Sequence, residues 1–167
     1  YEVVDAAIPN ARRAPEVWAE LIGTELMETG MPAFGDKLGE SNRQHIEAMF
    51  SIYNLGSESR KYIQAFEERR KIMREAALWM EEYPLVLCPV AGMPTPALDF
   101  DHFLDREQTL DLFDHMRNIP WVNLLGIPSV ALPNGIQIVG RRFQEAQALE
   151  AAAQVERVIG TASVARL

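Results

Sequence analysis

The run Leu85-Val86-Leu87-Cys88-Pro89-Val90 constrains the fold of this chain more than any other stretch. It is apolar at nearly every position, bounded by Pro84 on one side and by Gly92, Pro94 and Pro96 on the other. A run this short and continuous suits a strand buried on both faces of an α/β sheet. Such a strand needs sheet neighbours at its sides and helices above and below. Pro128-Ser129-Val130-Ala131-Leu132 and Ile136-Gln137-Ile138-Val139-Gly140 supply two neighbours, joined through Pro133-Asn134-Gly135. Asn-Gly tolerates positive φ at both positions and predicts a hairpin. Tyr1-Glu2-Val3-Val4-Asp5 reads as a further strand, one that must find a partner.

Helical patterns fill most of the remainder. Pro15 opens the first helix, whose Val17, Trp18, Leu21, Ile22 and Leu26 share a face. Gly30 to Gly39 reads as a loop around Met31-Pro32. A second helix begins near Ser41 or Asn42, carries Ile46, Met49, Phe50 and Tyr53, and is capped by Gly56. Ser57 is the N-cap expected for the third helix. Its apolar stripe holds Tyr62, Ile63, Phe66, Ile72, Met73, Ala76, Ala77 and Met80, and Glu67, Glu68 and Glu75 lie on the solvated face. Pro84 stops it, since the residue before proline avoids helical geometry. A fourth helix carries Leu110, Leu112, Phe113 and Met116. Pro120 interrupts it before one more turn, Trp121 to Leu125, ended by Gly126. An alanine-rich helix from about Gln144 to Ile159 closes the chain, with Ala146, Leu149, Ala152, Ala153 and Val155 along one side.

The fold class is therefore α/β, with five helices and three to four strands. Residues 1–83 form the mainly helical half and residues 84–167 the strand-containing half of a single unit. A sheet this small under so many helices leaves unpaired edges, so the unit is expected to be part of a larger domain.

Charge excludes several classes of partner. The formal net charge of −8 opposes nucleic acid, whose phosphates need a basic face, and opposes an anionic membrane surface. No apolar run approaches the roughly 20 residues of a membrane-spanning helix. The opening residues lack the basic start and apolar core of a signal peptide. A single cysteine, Cys88, suits a reducing cytoplasm, which is the expected location.

The side chains that carry chemistry are scattered. His45, His102 and His115 share no metal-ligand spacing, and no metal or cofactor is expected. His115 with Asp111 and Asp114 lies on an acidic helix. Cys88 sits in an apolar run and reads as core. Ser57 and Lys61 are four apart, but one is a cap and the other a solvated charge. Ser129 lacks a glycine elbow. Asp99 and Asp101 are loop acids, and Arg141-Arg142 reads as a pair for acidic neighbours. No nucleophile with an adjacent base emerges.

Three stretches together resemble the amidase signature family. The helix through Glu67-Glu68-Arg69-Arg70 running on to Glu82-Tyr83-Pro84-Leu85-Val86-Leu87-Cys88-Pro89 resembles its helix-then-strand unit. Asn123-Leu124-Leu125-Gly126-Ile127-Pro128 resembles its Asn-x-x-Gly-x-Pro turn. Ile136 to Phe143, followed by an alanine-rich helix, resembles its closing strand and helix. The resemblance covers essentially the whole chain but only the C-terminal part of the family. It implies a mixed-sheet α/β/α fold and the hydrolysis of carboxamide C–N bonds of a small-molecule amide. The family's two serines and lysine lie in a Gly/Ser-rich N-terminal region that this chain lacks, so no catalytic residue carries over. The chain alone is expected to be inactive. By analogy with the fatty-acid amide hydrolase branch, Phe113, Met116, Pro120 and Trp121 are the candidate substrate-binding residues, with the Val90 to Leu98 loop as the rim. The family's longer loop between the closing strands leaves two readings of Leu132 to Ile136, a tight hairpin or a shortened loop. The alternatives are a non-catalytic α/β interaction module and an aminoacyl-tRNA amidotransferase component of the A type. The open sheet edge further implies association, including a homodimer.

Overall fold

The computed structural model describes residues 1–53, 59–101 and 104–161. Among them are six helices of eight residues or more and three strands. Helices α1 (Arg13–Glu25), α2 (Glu40–Tyr53) and α3 (Ser59–Glu82) precede strand β1 (Leu85–Pro89). Helices α4 (Arg106–His115) and α5 (Asn118–Leu125) follow, then β2 (Ser129–Leu132), β3 (Ile136–Gly140) and α6 (Glu145–Ile159). The fold is α/β, as expected. The caps assigned to Gly56 and Ser57 lie outside the described residues, as does His102.

The sheet has the order β1-β3-β2 and both pairings are antiparallel. Val86 faces Val139, and Leu132 faces Ile136 across a tight hairpin. Asn134 and Gly135 both take left-handed φ there, 69° and 72°, which is what an Asn-Gly turn supplies. One face of the sheet sets Val86 and Val139 into the main core with Ile72, Met80, Trp121 and Leu125. The other face packs Leu85, Val130, Leu132 and Ile138 on Ala151, Ala152 and Val155 of α6.

Helix α1 runs antiparallel to α3. Asn10, just before α1, donates to Glu75 at 2.8 Å, Arg13 reaches Glu68, and Glu25 accepts from Tyr62 at 2.8 Å. Arg13 grips Glu68 with two parallel bonds, Nε–Oε1 at 2.7 Å and Nη2–Oε2 at 2.6 Å. Glu68 and Glu75 are thus ties between helices, not members of a solvated face.

Several expectations are corrected. Residues 1–8 form no strand, and Tyr1, Val3 and Val4 are exposed; no described strand lies beside them to complete a ladder. The stretch expected as a loop is mostly helical: a wide turn at Leu26–Gly30, one α-turn at Met31–Phe34 and a 3-10 turn at Gly35–Lys37. Pro32 is tolerated because it sits in a first turn, where its missing N–H is not needed. Pro120 likewise starts α5 rather than breaking α4, which raises the helix count from five to six. β1 is not covered on both faces. Leu87 is 56% exposed, because α6 packs on β2 and β3 and leaves the β1 edge open. On α3, Ile63 and Ala77 are exposed. On α6 the buried side is Ala148, Ala151 and Ala152, while Leu149 points outward and Ala146 and Ala153 are exposed.

Close approach explains that last choice. A Cβ on Gly140 would stand 3.0 Å from the Cβ of Ala148 and 3.5 Å from the Gln144 carbonyl. Only small residues fit where α6 crosses β3. Gly140→Ala should therefore lower stability by about 1–3 kcal/mol, because the crossing must open. Adding Ala148→Gly should recover part of the loss despite its poorer helix propensity. Urea unfolding of the single and double variants checks both.

The Arg13–Glu68 pair makes a second prediction. Its hydrogen bond is the main reason the Glu68 carboxyl lies below its ordinary value of 4.5. A lowered carboxylate pKa contributes stability above that ordinary value, and the contribution is lost as pH falls through the lowered one. Glu20, 4.0 Å from the same guanidinium, is pushed up by burial and opposes the effect. The two partners are 38% and 35% exposed, so screening holds the pair to about 1 kcal/mol. Glu68→Gln should lower Tm by about 2–4 °C at pH 7 and by less at pH 3, followed by circular dichroism.

Candidate functional site

The segment from β1 to β2 gathers every residue singled out for substrate contact. Its geometry begins at the end of β1. The Pro89 carbonyl accepts from Asn118 Nδ2 at 2.8 Å and from Gln137 Nε2 at 3.3 Å. Those bonds tie the strand's end to the start of α5 and to β3. Val90 donates to Gly135 at 2.8 Å and extends the ladder by one residue. Gly92 then donates to the His115 carbonyl at 2.7 Å, which pins the loop to the end of α4. A Cβ at Gly92 would stand 3.3 Å from His115 Nδ1, so a side chain here would press on that ring.

Helix α4 is started by a capping box. Asp105 accepts from the Gln108 backbone at 2.9 Å and Gln108 Oε1 accepts from the Asp105 backbone at 3.0 Å. The Asp105-x-x-Gln108 spacing was available in the sequence as a helix-start signal. Thr109, 1% exposed, satisfies its hydroxyl on the Asp105 carbonyl at 2.7 Å.

The four candidate residues occupy two environments. Phe113 and Met116 are half-buried on α4 and at its C-terminal cap. The Phe113 ring lies tilted to His45 of α2, with centroids 6.2 Å apart. Pro120 and Trp121 are buried in the first turn of α5. Trp121 is 2% exposed within the main core, and its indole N–H donates to the Pro9 carbonyl at 3.2 Å. The structure thus sets Phe113 and Met116 toward a partly open side and Pro120 and Trp121 toward the interior. Next to the Phe113–His45 contact lies a cavity of about 150 Å³ bordered by Gln44, His45, Asp101 and Thr109. No sequence pattern joins these residues, because they come from separate helices and a loop.

Other candidates have structural partners. Ser129 donates to Gln137 Oε1 at 2.7 Å, and Gln137 is 5% exposed. The same amide bonds Cys88, whose thiol is nevertheless pushed above its ordinary value by burial. His115 stands 3.7 Å from Asp111, and Arg117 pairs with Asp114 at 2.9 Å. Among the described residues, no three His, Cys, Asp or Glu side chains converge to hold a metal ion.

Solved structures place this arrangement in a known class. It superposes on a crystal structure of an amidase with a TM-score of 0.67 at 18% identity, covering 95% of this chain and 38% of the other. It also superposes on 6-aminohexanoate cyclic dimer hydrolase with a TM-score of 0.66 at 20% identity, covering 92% and 37%. The fold is that of amidases. The amidase family model matches residues 4–149, and the chain belongs to that family. It is 26% identical to an indoleacetamide hydrolase of Bradyrhizobium japonicum over 96% of this chain and 36% of the relative. It is 32% identical to the A-type component of the glutamyl-tRNA(Gln) amidotransferase of Lactococcus lactis over 70% of this chain and 25% of the relative. The chain spans about a third of the length of the curated relatives it matches.

The Cys88 environment is directly testable. A desolvated thiol has little thiolate, so Cys88 should react with DTNB at pH 8 about tenfold slower than a free thiol, or less. The reaction should reach the free-thiol rate once the chain is unfolded in guanidinium chloride.

Proposed function

We propose that this chain is the C-terminal, substrate-pocket-forming part of an amidase that hydrolyses carboxamide C–N bonds, and that it is inactive by itself. The observation that carries this reading is a mismatch of coverage. The family model spans residues 4–149, yet the chain accounts for about a third of its relatives. Ser129 gives its hydroxyl to Gln137, not to a lysine or histidine that could activate it for amide cleavage. Hydrolysis adds water across the C–N bond and releases a carboxylic acid and ammonia or an amine. In the proposed role this chain holds the acyl side of the amide and keeps water away from it.

Phe113 and Met116, half-buried on α4 and at its C-terminal cap, are the side chains proposed to line that acyl-side wall; Pro120 and Trp121, expected beside them, are buried in α5. An apolar lining with a flexible methionine suits an apolar acyl group. Similarity to a hydrolase named for indoleacetamide supports the same substrate class. The amidotransferase reading is favoured by the 32% identity to the Lactococcus lactis relative, but a glutamine substrate carries a charged end that a Phe–Met wall does not answer.

Two measurements test the proposal. The purified chain should release no ammonia from indole-3-acetamide above the buffer rate; sustained release from highly purified material would overturn it. In a longer protein that carries this chain, Phe113→Ala and Met116→Ala should each lower kcat/KM for an apolar amide by about tenfold. They should leave acetamide turnover nearly unchanged. Equal losses for both substrates would remove these residues from the acyl wall. A monodisperse chain with no effect of either substitution would favour an interaction module.

A further inference from the structure

At the Leu85/Gly140 end of the sheet, opposite the end that leads into the Val90 loop, the surface holds a groove of about 500 Å³. We infer that this groove is a binding site for an organic monocarboxylate with an apolar body. The volume lies in the range of small-molecule sites, about 300–1,000 Å³. Its apolar surface comes from Met73 and Met80 of α3 and from Leu125 and Ile127 at the end of α5. The methionines give that floor an adaptable shape.

The rim supplies the charge. Arg74, Arg141 and Arg142 border the groove, against a single carboxylate, Glu81. The local balance is positive in a chain whose net charge is −8. Arg142 stacks over Phe143, 4.9 Å from the ring centroid. Among the described residues, the side chains of Arg74 and Arg141 form no hydrogen bond or ion pair, whereas those of Arg13, Arg69 and Arg117 do.

Arg141 is the decisive group. It is half-buried, and its Nε is buried without a hydrogen-bond partner. A half-buried guanidinium whose Nε is sealed without a partner is costly to hold, and its outer Nη donors, which are not buried in the same way, are what a carboxylate in the groove would meet. Gln144, also on the rim, is the N-cap residue of α6 and makes no side-chain cap bond, so its amide is a further donor at the groove. The apolar floor decides between anions. Phosphate has no apolar body to occupy the floor of Met73, Met80, Leu125 and Ile127.

The test is isothermal titration of the full chain with 4-phenylbutanoate, 4-phenylbutanamide and inorganic phosphate. The carboxylate should bind saturably with Kd on the order of 1 mM or tighter. The neutral amide and phosphate should each bind about tenfold more weakly, or worse. Arg141→Gln should weaken the carboxylate about tenfold and leave the amide unchanged, with folding checked by circular dichroism. Arg74→Gln, on an exposed helix position, makes the same test if Arg141→Gln does not fold, with a severalfold loss expected. Equal binding of carboxylate and amide, phosphate binding as well as the carboxylate, or indifference to both substitutions would overturn the assignment. So would a dimer in sedimentation velocity that Arg141→Gln dissolves, because a second copy would then fill the groove.

Discussion

Burial of Trp121 is the constraint on which the rest of the structure depends. Helix α5 is short, and it stays in place because Trp121, Leu124 and Leu125 are each 2% exposed between the α1–α3 pair and the sheet. Burying an indole that size requires a partner for its N–H, and the Pro9 carbonyl ahead of α1 provides one. The far end of α5 is held as firmly. Arg69 of α3 donates to the Leu124 carbonyl at 2.7 Å, and Gly126 turns the chain with φ 63° and ψ 46°. A left-handed residue at that point suits glycine, and it aims the chain through Ile127-Pro128 into β2. One buried helix therefore connects the helical layer to the strand layer.

The sheet that α5 supports is small and antiparallel, with β3 at its centre. Its faces are specialised by residue size. On one side Val86 and Val139 meet bulky groups of α3 and α5, and on the other Gly140 and Ala148 bring α6 close. The same row of β1 and β3 that carries Val86 and Val139 ends in Cys88 and Gln137. There Gln137 satisfies Ser129 and reaches Pro89, so a buried amide substitutes for packing at the end of the ladder. Cys88, expected as core, is half-buried and packs against the edge of the main core.

The region proposed to face substrate grows from this frame. Hydrogen bonds from Asn118 and Gln137 to Pro89, and from Gly92 to His115, fix the loop after β1 against α4 and α5. The half-buried positions of Phe113 and Met116 follow from where α4 begins and ends. The Asp105–Gln108 box sets its start, and the turn at Met116–Asn118 separates it from α5. The sequence marked these side chains as apolar at helical spacing. It did not show that Trp121 would be sealed inside while Phe113 rests on His45, since that depends on α1 and α2 coming from a distant part of the chain.

The features legible in the sequence are local and periodic. The β1 run, the Asn134-Gly135 hairpin, the stop at Pro84 and the left-handed Gly126 follow from backbone sterics and short-range hydrogen bonding. Those forces act within a few residues. The order of elements followed from them, and so did the family resemblance that the comparisons bear out over residues 4–149. Which face of each element is covered depends on packing between elements. α6 carries apolar residues on two sides, Ala146, Leu149 and Ala153 as well as Ala148, Ala151 and Ala152; the 3.0 Å approach at Gly140 chose Ala148 and left Leu149 outside. Glu68 looked like a surface charge until α1 delivered Arg13 to it. Leu87 looked like core until β1 proved to be an edge that α6 does not reach. The contact that decides Glu68 joins residues 55 apart in the chain, and no local pattern encodes that distance.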